Sequence, residues 1–219
     1  MRALRALAAL LSYPTAGLVD ALPEIRGVIA MEGHIARCDR DGLEELIREL
    51  AAADLLEAQE QYVALFDRAR ATSLNLYEHV HGDSRDRGQA MVDLAQVYVR
   101  AGLAISTREL PDYLPVLLEY LSTRPRAEAE EMLGDCAHIL RAIGNALLRR
   151  RAPHAAVLAT LLALAGEAGL DAGDLAPEEA EKSLDDEWAE EPVTFGLGCG
   201  DARAEAGKPQ PIRFVRKAA

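Results

Sequence analysis

The sequence predicts an all-α protein: a single globular bundle of about seven to nine helices, followed by an acidic C-terminal tail. Three observations lead there. Alanine and leucine dominate the apolar half of the 219 residues, only three Phe, six Tyr and one Trp are aromatic, and β-branched runs are nearly absent, a composition that favours helix over sheet. Apolar residues recur at helical spacing through most of positions 1–169, and no alternating strand pattern, fixed repeat or sustained heptad competes with that reading.

Leu4, Leu7, Leu10 and Leu11 open the first amphipathic helix, and Pro14 stops it. Two arginines and an apolar run there have some features of a secretory signal. Arg5 interrupts the run, however, and Tyr13-Pro14 stands where a small-residue cleavage site belongs, so a helix of the folded body is expected. A second helical region spans Thr15 to Cys38 with a break near Pro23. Asp41 then caps a helix that places Leu43, Leu46, Ile47 and Leu50 on one face.

Asp54 starts the next pattern, through Tyr62, Leu65 and Phe66. Periodicity weakens from Ala71 to Gly82, after which Asp83 or Ser84 can cap a long helix ending at Gly102. Pro111 reads as the first-turn proline of a helix with Leu114, Leu117, Leu118 and Leu121 on one face. A single run from Arg126 to Arg151 and a last apolar helix from Ala155 to Ala168 complete the body. His154, beside Pro153, reads as a turn residue. The domain boundary therefore falls at 169/170, with 170–219 an acidic, flexible tail that ends in bases and bears Trp188 and Phe195.

Net charge is −12, split as −6 over residues 1–170, −10 over 171–207 and +4 over 208–219. An acidic chain repels phosphate backbones, so nucleic acid is excluded as a general partner and a basic peptide fits better. Cys38, Cys136 and Cys199 form no CxxC pair and no even set, which fits a reducing cytoplasm. No stretch approaches the ~18 apolar residues of a membrane span, so no membrane insertion is expected.

Functional-looking residues are densest from Tyr77 through Met91, with Glu78, His79, His81, Asp83, Arg85, Asp86, Arg87 and Gln89 at a turn-to-helix junction. Glu78, His79 and His81 are the residues a divalent metal would use, and they carry the alternative reading of a metal-binding protein or metal-dependent enzyme. Two histidines two apart on a helix point about 200° apart, however, and further ligands are not identifiable. Ser84 lacks a nucleophile elbow, no cysteine has an oriented histidine partner, and Gly82 and Gly88 fit no phosphate-loop spacing. Neither a catalytic nor a metal site is accordingly expected.

Four stretches, LLSYP at 10–14, YVALFDR at 62–68, EHVHGDSRDRGQAM at 78–91 and ELPDYLP at 109–115, together with DEW to PVTFG at 186–196, resemble the nitrate reductase molybdenum cofactor assembly chaperones, the delta-subunit family. The resemblance covers residues 4–165 most fully. It implies an all-helical, non-enzymatic chaperone without a cofactor of its own. Such a chaperone binds the N-terminal peptide of the reductase's catalytic subunit, supports insertion of molybdenum cofactor and an iron-sulfur cluster, and then leaves. A basic amphipathic leader needs an apolar groove with an acidic rim. Tyr62, Phe66, Tyr77 and Tyr113 are the groove candidates, Glu78, Asp83 and Asp86 can take the peptide's cations, and Arg85 and Arg87 can hold the loop. His79, His81 and Gln89 complete the candidate peptide-binding set. A monomer and a homodimer are both compatible with the sequence.

Overall fold

The computed structural model describes residues 1–81, 84, 86–106 and 108–171, all of them in the first of the chain's two units, Met1–Glu181 and Lys182–Ala219. Nearly all of the tail, with Trp188 and Phe195, lies outside the described residues, as do Asp83 and Arg85. Ten α-helices are formed among the described residues, slightly more than the sequence suggested, and no strand. They are α1 Arg2–Leu10, α2 Ala16–Met31, α3 Arg37–Ala52, α4 Leu55–Tyr62, α5 Leu76–His81, α6 Asp86–Arg100, α7 Leu114–Ser122, α8 Arg126–Asp135, α9 Ala137–Arg149 and α10 Ala155–Leu164. A π-helical turn, Val63–Asp67, extends α4, and a 3-10 turn, Arg70–Thr72, follows it.

The first helix forms the heart of the core. Leu4, Leu7, Leu10 and Leu11 are fully buried, and α1 packs most extensively along α7, whose Leu114, Leu118 and Leu121 are equally buried. α10 fills the other side between α9 and α3. The α3–α10 approach is close because α3 has a glycine at the contact: a Cβ on Gly42 would sit 2.9 Å from the Cβ of Ala156, which has no rotamer with which to yield. Gly42→Ala is therefore expected to lose about 1 kcal/mol net, overpacking outweighing the gain in helix propensity. Gly27→Ala, on the open face of α2, is expected to gain about 0.5 to 1 kcal/mol. Chemical denaturation of the two variants checks both signs.

Several boundaries depart from the sequence reading. Pro23 does not break α2: its ring faces solvent, while Leu22, Ile25 and Ile29 anchor the helix on both sides of it. α2 ends at Met31, and α3 starts at Arg37, so Asp41 lies inside a helix and caps nothing. The first-turn proline of α7 is Pro115, whereas Pro111 precedes the helix and accepts from the Tyr98 hydroxyl at 2.8 Å. The run from Arg126 to Arg151 is two helices that meet at Cys136, where the Met132 and Cys136 carbonyls still carry the chain across the bend. Leu170 and Asp171, read from sequence as the start of the tail, lie against α9. Leu170 covers Gly144, and the Asp171 N–H donates to Asn145 Oδ1 at 3.2 Å.

Candidate functional site

The predicted residues gather into two neighbouring groups. In the first, residues 73–76 run antiparallel to 112–114. Asn75 bridges Tyr113, Leu114 N–H donates to Leu74 O at 2.8 Å, and Leu76 N–H donates to Asp112 O at 3.1 Å. The fully buried Asp112 side chain caps α5 from outside, Oδ2 accepting from the Tyr77 N–H at 3.0 Å. A carboxylate thus takes up one of the orphan donors at the start of a helix too short to stand alone.

Glu78 closes this clasp. Its carboxylate accepts from Ser73 Oγ at 2.6 Å and from Arg87 Nη2, on α6, at 3.0 Å. Burial pushes the Glu78 carboxyl up, but these bonds to the charged form outweigh it and hold the group below the ordinary glutamate value. Asp112 shifts the opposite way: burial raises it, and the Tyr77 N–H and the nearby Arg87 charge offset that only in part. Asp112 Oδ1 and Arg87 Nε have no hydrogen-bond partner among the described residues.

Glu78 is therefore engaged by an internal cation, Arg87 of α6. His79 Nε2 lies 2.8 Å from Ser73 O, an atom that can only accept, so Nε2 bears the proton. His81 stands edge-on to Tyr77, with ring centroids 5.6 Å apart. Gln89 bonds Asp93 along α6, and Asp86 shares the Ser84 hydroxyl at the helix start. Among the described residues no group of three or more His, Cys, Asp or Glu side chains is placed to hold a metal ion, so the geometry gives the metal reading no support.

The second group is aromatic. Tyr62 is buried, packs against Phe66 with the rings tilted at 49° and their centroids 4.8 Å apart, and donates its hydroxyl to Leu11 O at 2.9 Å, so Tyr113, 2.8 Å away, donates to the Tyr62 oxygen. Burial pushes the Tyr113 phenol up to about 12 and Tyr62 further still, so both stay neutral hydrogen-bonding groups. Tyr13 stands edge-on to Tyr62 at 5.5 Å, and His154 edge-on to Phe66 at 5.2 Å.

Two clefts flank this row of rings. The larger, about 490 Å3, is lined by Tyr13, Tyr98, Tyr113 and Tyr120 with Leu103, Ile105 and Val116, and carries Glu109, Glu119 and Arg5. The smaller, about 320 Å3, is walled by Leu46, Leu50, Tyr62, Leu65, Pro153 and His154. Tyr113 thus belongs to the larger cleft. Tyr62 lines the smaller cleft with Phe66 behind it, and Tyr77, Glu78, His79, His81, Asp86, Arg87 and Gln89 line neither cleft. Sequence reasoning missed Asp112, Ser73, Tyr13, Tyr98 and Tyr120. Asp112 and Tyr13 stood inside the short motifs already singled out, but nothing in the chain order shows that they meet Tyr77 and Tyr62.

A family model described as nitrate reductase delta subunit matches residues 36–160. The nitrate reductase molybdenum cofactor assembly chaperone NarJ of Escherichia coli K12 is 44% identical over 90% of this chain and 87% of its own length. The probable assembly chaperone NarW of the same strain is 40% identical over 89% and 84%, and the probable NarJ of Bacillus subtilis 28% identical over 72% and 85%.

Proposed function

The chain belongs to the nitrate reductase delta-subunit family, and on that premise we propose that it is a cytoplasmic assembly chaperone for a respiratory nitrate reductase. In this reading it binds the N-terminal peptide of the catalytic subunit while molybdenum cofactor is inserted, and it performs no catalysis itself. Its helical body, residues 1–169, is the working domain. No helix of the described residues is long and apolar enough to cross a membrane.

The observation that supports peptide binding most directly is the larger cleft: the exposed Tyr13 and half-buried Tyr113 rings over the buried Tyr98 and Tyr120, aliphatic walls, and two glutamates beside Arg5. A short amphipathic helix can lay its apolar side chains on the rings and bring its cations to Glu109 and Glu119. Tyrosine suits such a surface because it offers large contact area with few rotatable bonds and a hydroxyl for the peptide's polar groups. In this reading the Glu78–Arg87 clasp does not touch the client; it fixes Asp112 and hence the neighbouring Tyr113.

Calorimetric titration of the full chain with a synthetic peptide of the catalytic subunit's first residues tests the reading. Binding at about 10 μM or tighter is expected, weakened about tenfold by Tyr113→Ala. No binding, or binding indifferent to that substitution while the variant melts as a folded protein, overturns the cleft assignment.

A further inference from the structure

Among the described residues three helices end in the same way, with one residue in left-handed backbone and the next N–H groups folded back onto the last turn. α6 does so at Gly102, φ 76°, with Gly102 N–H on Val99 O at 2.9 Å and Leu103 N–H on Tyr98 O at 3.0 Å. α10 does so at Gly166, φ 74°, with bonds to Ala163 O and Leu162 O. α9 makes the same motif at Arg151, φ 55°, with Arg151 N–H on Leu148 O and Ala152 N–H on Leu147 O, both at 2.9 Å. Glycine takes this conformation freely, whereas any side chain there meets its own carbonyl. α9 thus retains an arginine where glycine would fold better.

The surroundings of Arg151 give that arginine a purpose. Arg150 Nη1 donates to Thr72 Oγ1 at 2.7 Å, and Phe66 packs on His154, so the 3-10 turn Arg70–Thr72 lies against the end of α9. Along this seam the sequence places Arg68 and Arg70 on one segment and Arg149, Arg150 and Arg151 on the other, with Asp67 the acid in either segment; Glu49 lines the adjoining cleft. All five arginines but the half-buried Arg150 are exposed. Arg149 and Arg150 have contacts within the chain, while Arg68, Arg70 and Arg151 form no ion pair among the described residues. Five arginines in two short neighbouring segments stand out in a chain of net charge −12.

Arg149, in the last turn of α9, and Arg150 and Arg151 just beyond it suit the negative end of the helix dipole. Neither the unfavourable backbone at Arg151 nor the two arginines contributed by another segment follows from it. We propose that this seam binds a phosphate or phosphoester anion, with Arg151, Arg70 and Arg68 supplying planar donor forks that match its oxygens. Free phosphates and phospholipid headgroups share that chemistry.

The test uses the full chain and two probes: inorganic pyrophosphate by calorimetry, and phosphatidylcholine vesicles with and without phosphatidylglycerol by co-sedimentation. Pyrophosphate binding is expected to weaken about tenfold in Arg151→Gly and in Arg70→Gln, roughly the weight of one charge-assisted hydrogen bond. Arg151→Gly is at the same time expected to melt no lower than the wild type, because glycine relieves the left-handed position. A fold at least as stable that binds less cannot be explained by structural damage. Binding confined to phosphatidylglycerol vesicles, with the same arginine dependence, assigns the site to a headgroup. Binding of neither probe, or binding that both substitutions leave unchanged, overturns the proposal.

Discussion

Acidification from pH 7 to pH 4 is expected to destabilise the wild-type fold by up to about 3 kcal/mol more than it destabilises a His154→Leu variant. His154 lies between the edge of Phe66 and the smaller cleft, and its Nδ1 is cut off from solvent without a hydrogen-bond partner among the described residues. Burial lowers its pKa from 6.5 to about 4. The unfolded chain therefore takes up a proton near pH 6.5 that the folded chain refuses until about pH 4. Stability is unaffected above pH 6.5, falls through the window between the two values, and levels off below it as far as this group is concerned.

Urea unfolding of wild type and variant across that window measures the difference. Parallel curves for the two proteins would show that Nδ1 of His154 is not excluded from water as the packing implies. Comparison with the variant also isolates the histidine from Glu78 and Asp112, whose carboxyls change in acid as well. Leucine suits the control because it fills an apolar wall beside Phe66 without bringing a polar atom into it.

Asp112→Ala is expected to lose about 2 to 3 kcal/mol of stability and to weaken leader-peptide binding along with it. The alanine leaves the Tyr77 N–H without its acceptor and removes a buried carboxylate close enough to feel the Arg87 charge. An unpaired donor at the start of α5 and an arginine with less to balance it both act on the pairing of 73–76 with 112–114, and so on Tyr113. Asp112→Asn keeps an oxygen for the Tyr77 N–H and is expected to recover more than half of the loss. If both substitutions prove neutral in denaturation and in peptide titration, the clasp does not set the cleft.

How much of this was legible beforehand varies by residue. Helical periodicity placed Leu4, Leu7 and Leu10 and the face of α7 in the core correctly, because a buried stripe must repeat with the helix. The same signal could not divide α8 from α9 at Cys136, where the apolar face continues across the bend and only the backbone turns. It also overstated Pro23, whose missing N–H matters little on a solvent face flanked by anchored turns.

The sequence by itself determined that this chain is helical, acidic and a member of its family, because composition, periodicity and short motifs are local properties written along the chain. It also singled out Glu78 and Arg87, nine positions apart at one junction. Only the tertiary structure decided that these two pair with each other, that Asp112 caps α5, and that Tyr13, Tyr98, Tyr113 and Tyr120 share one cleft. Apart from the Glu78–Arg87 pair, those meetings join segments distant in sequence, and they arise because burying α1 against α7 and α10 against α9 brings the intervening segments together, where they satisfy one another's polar groups.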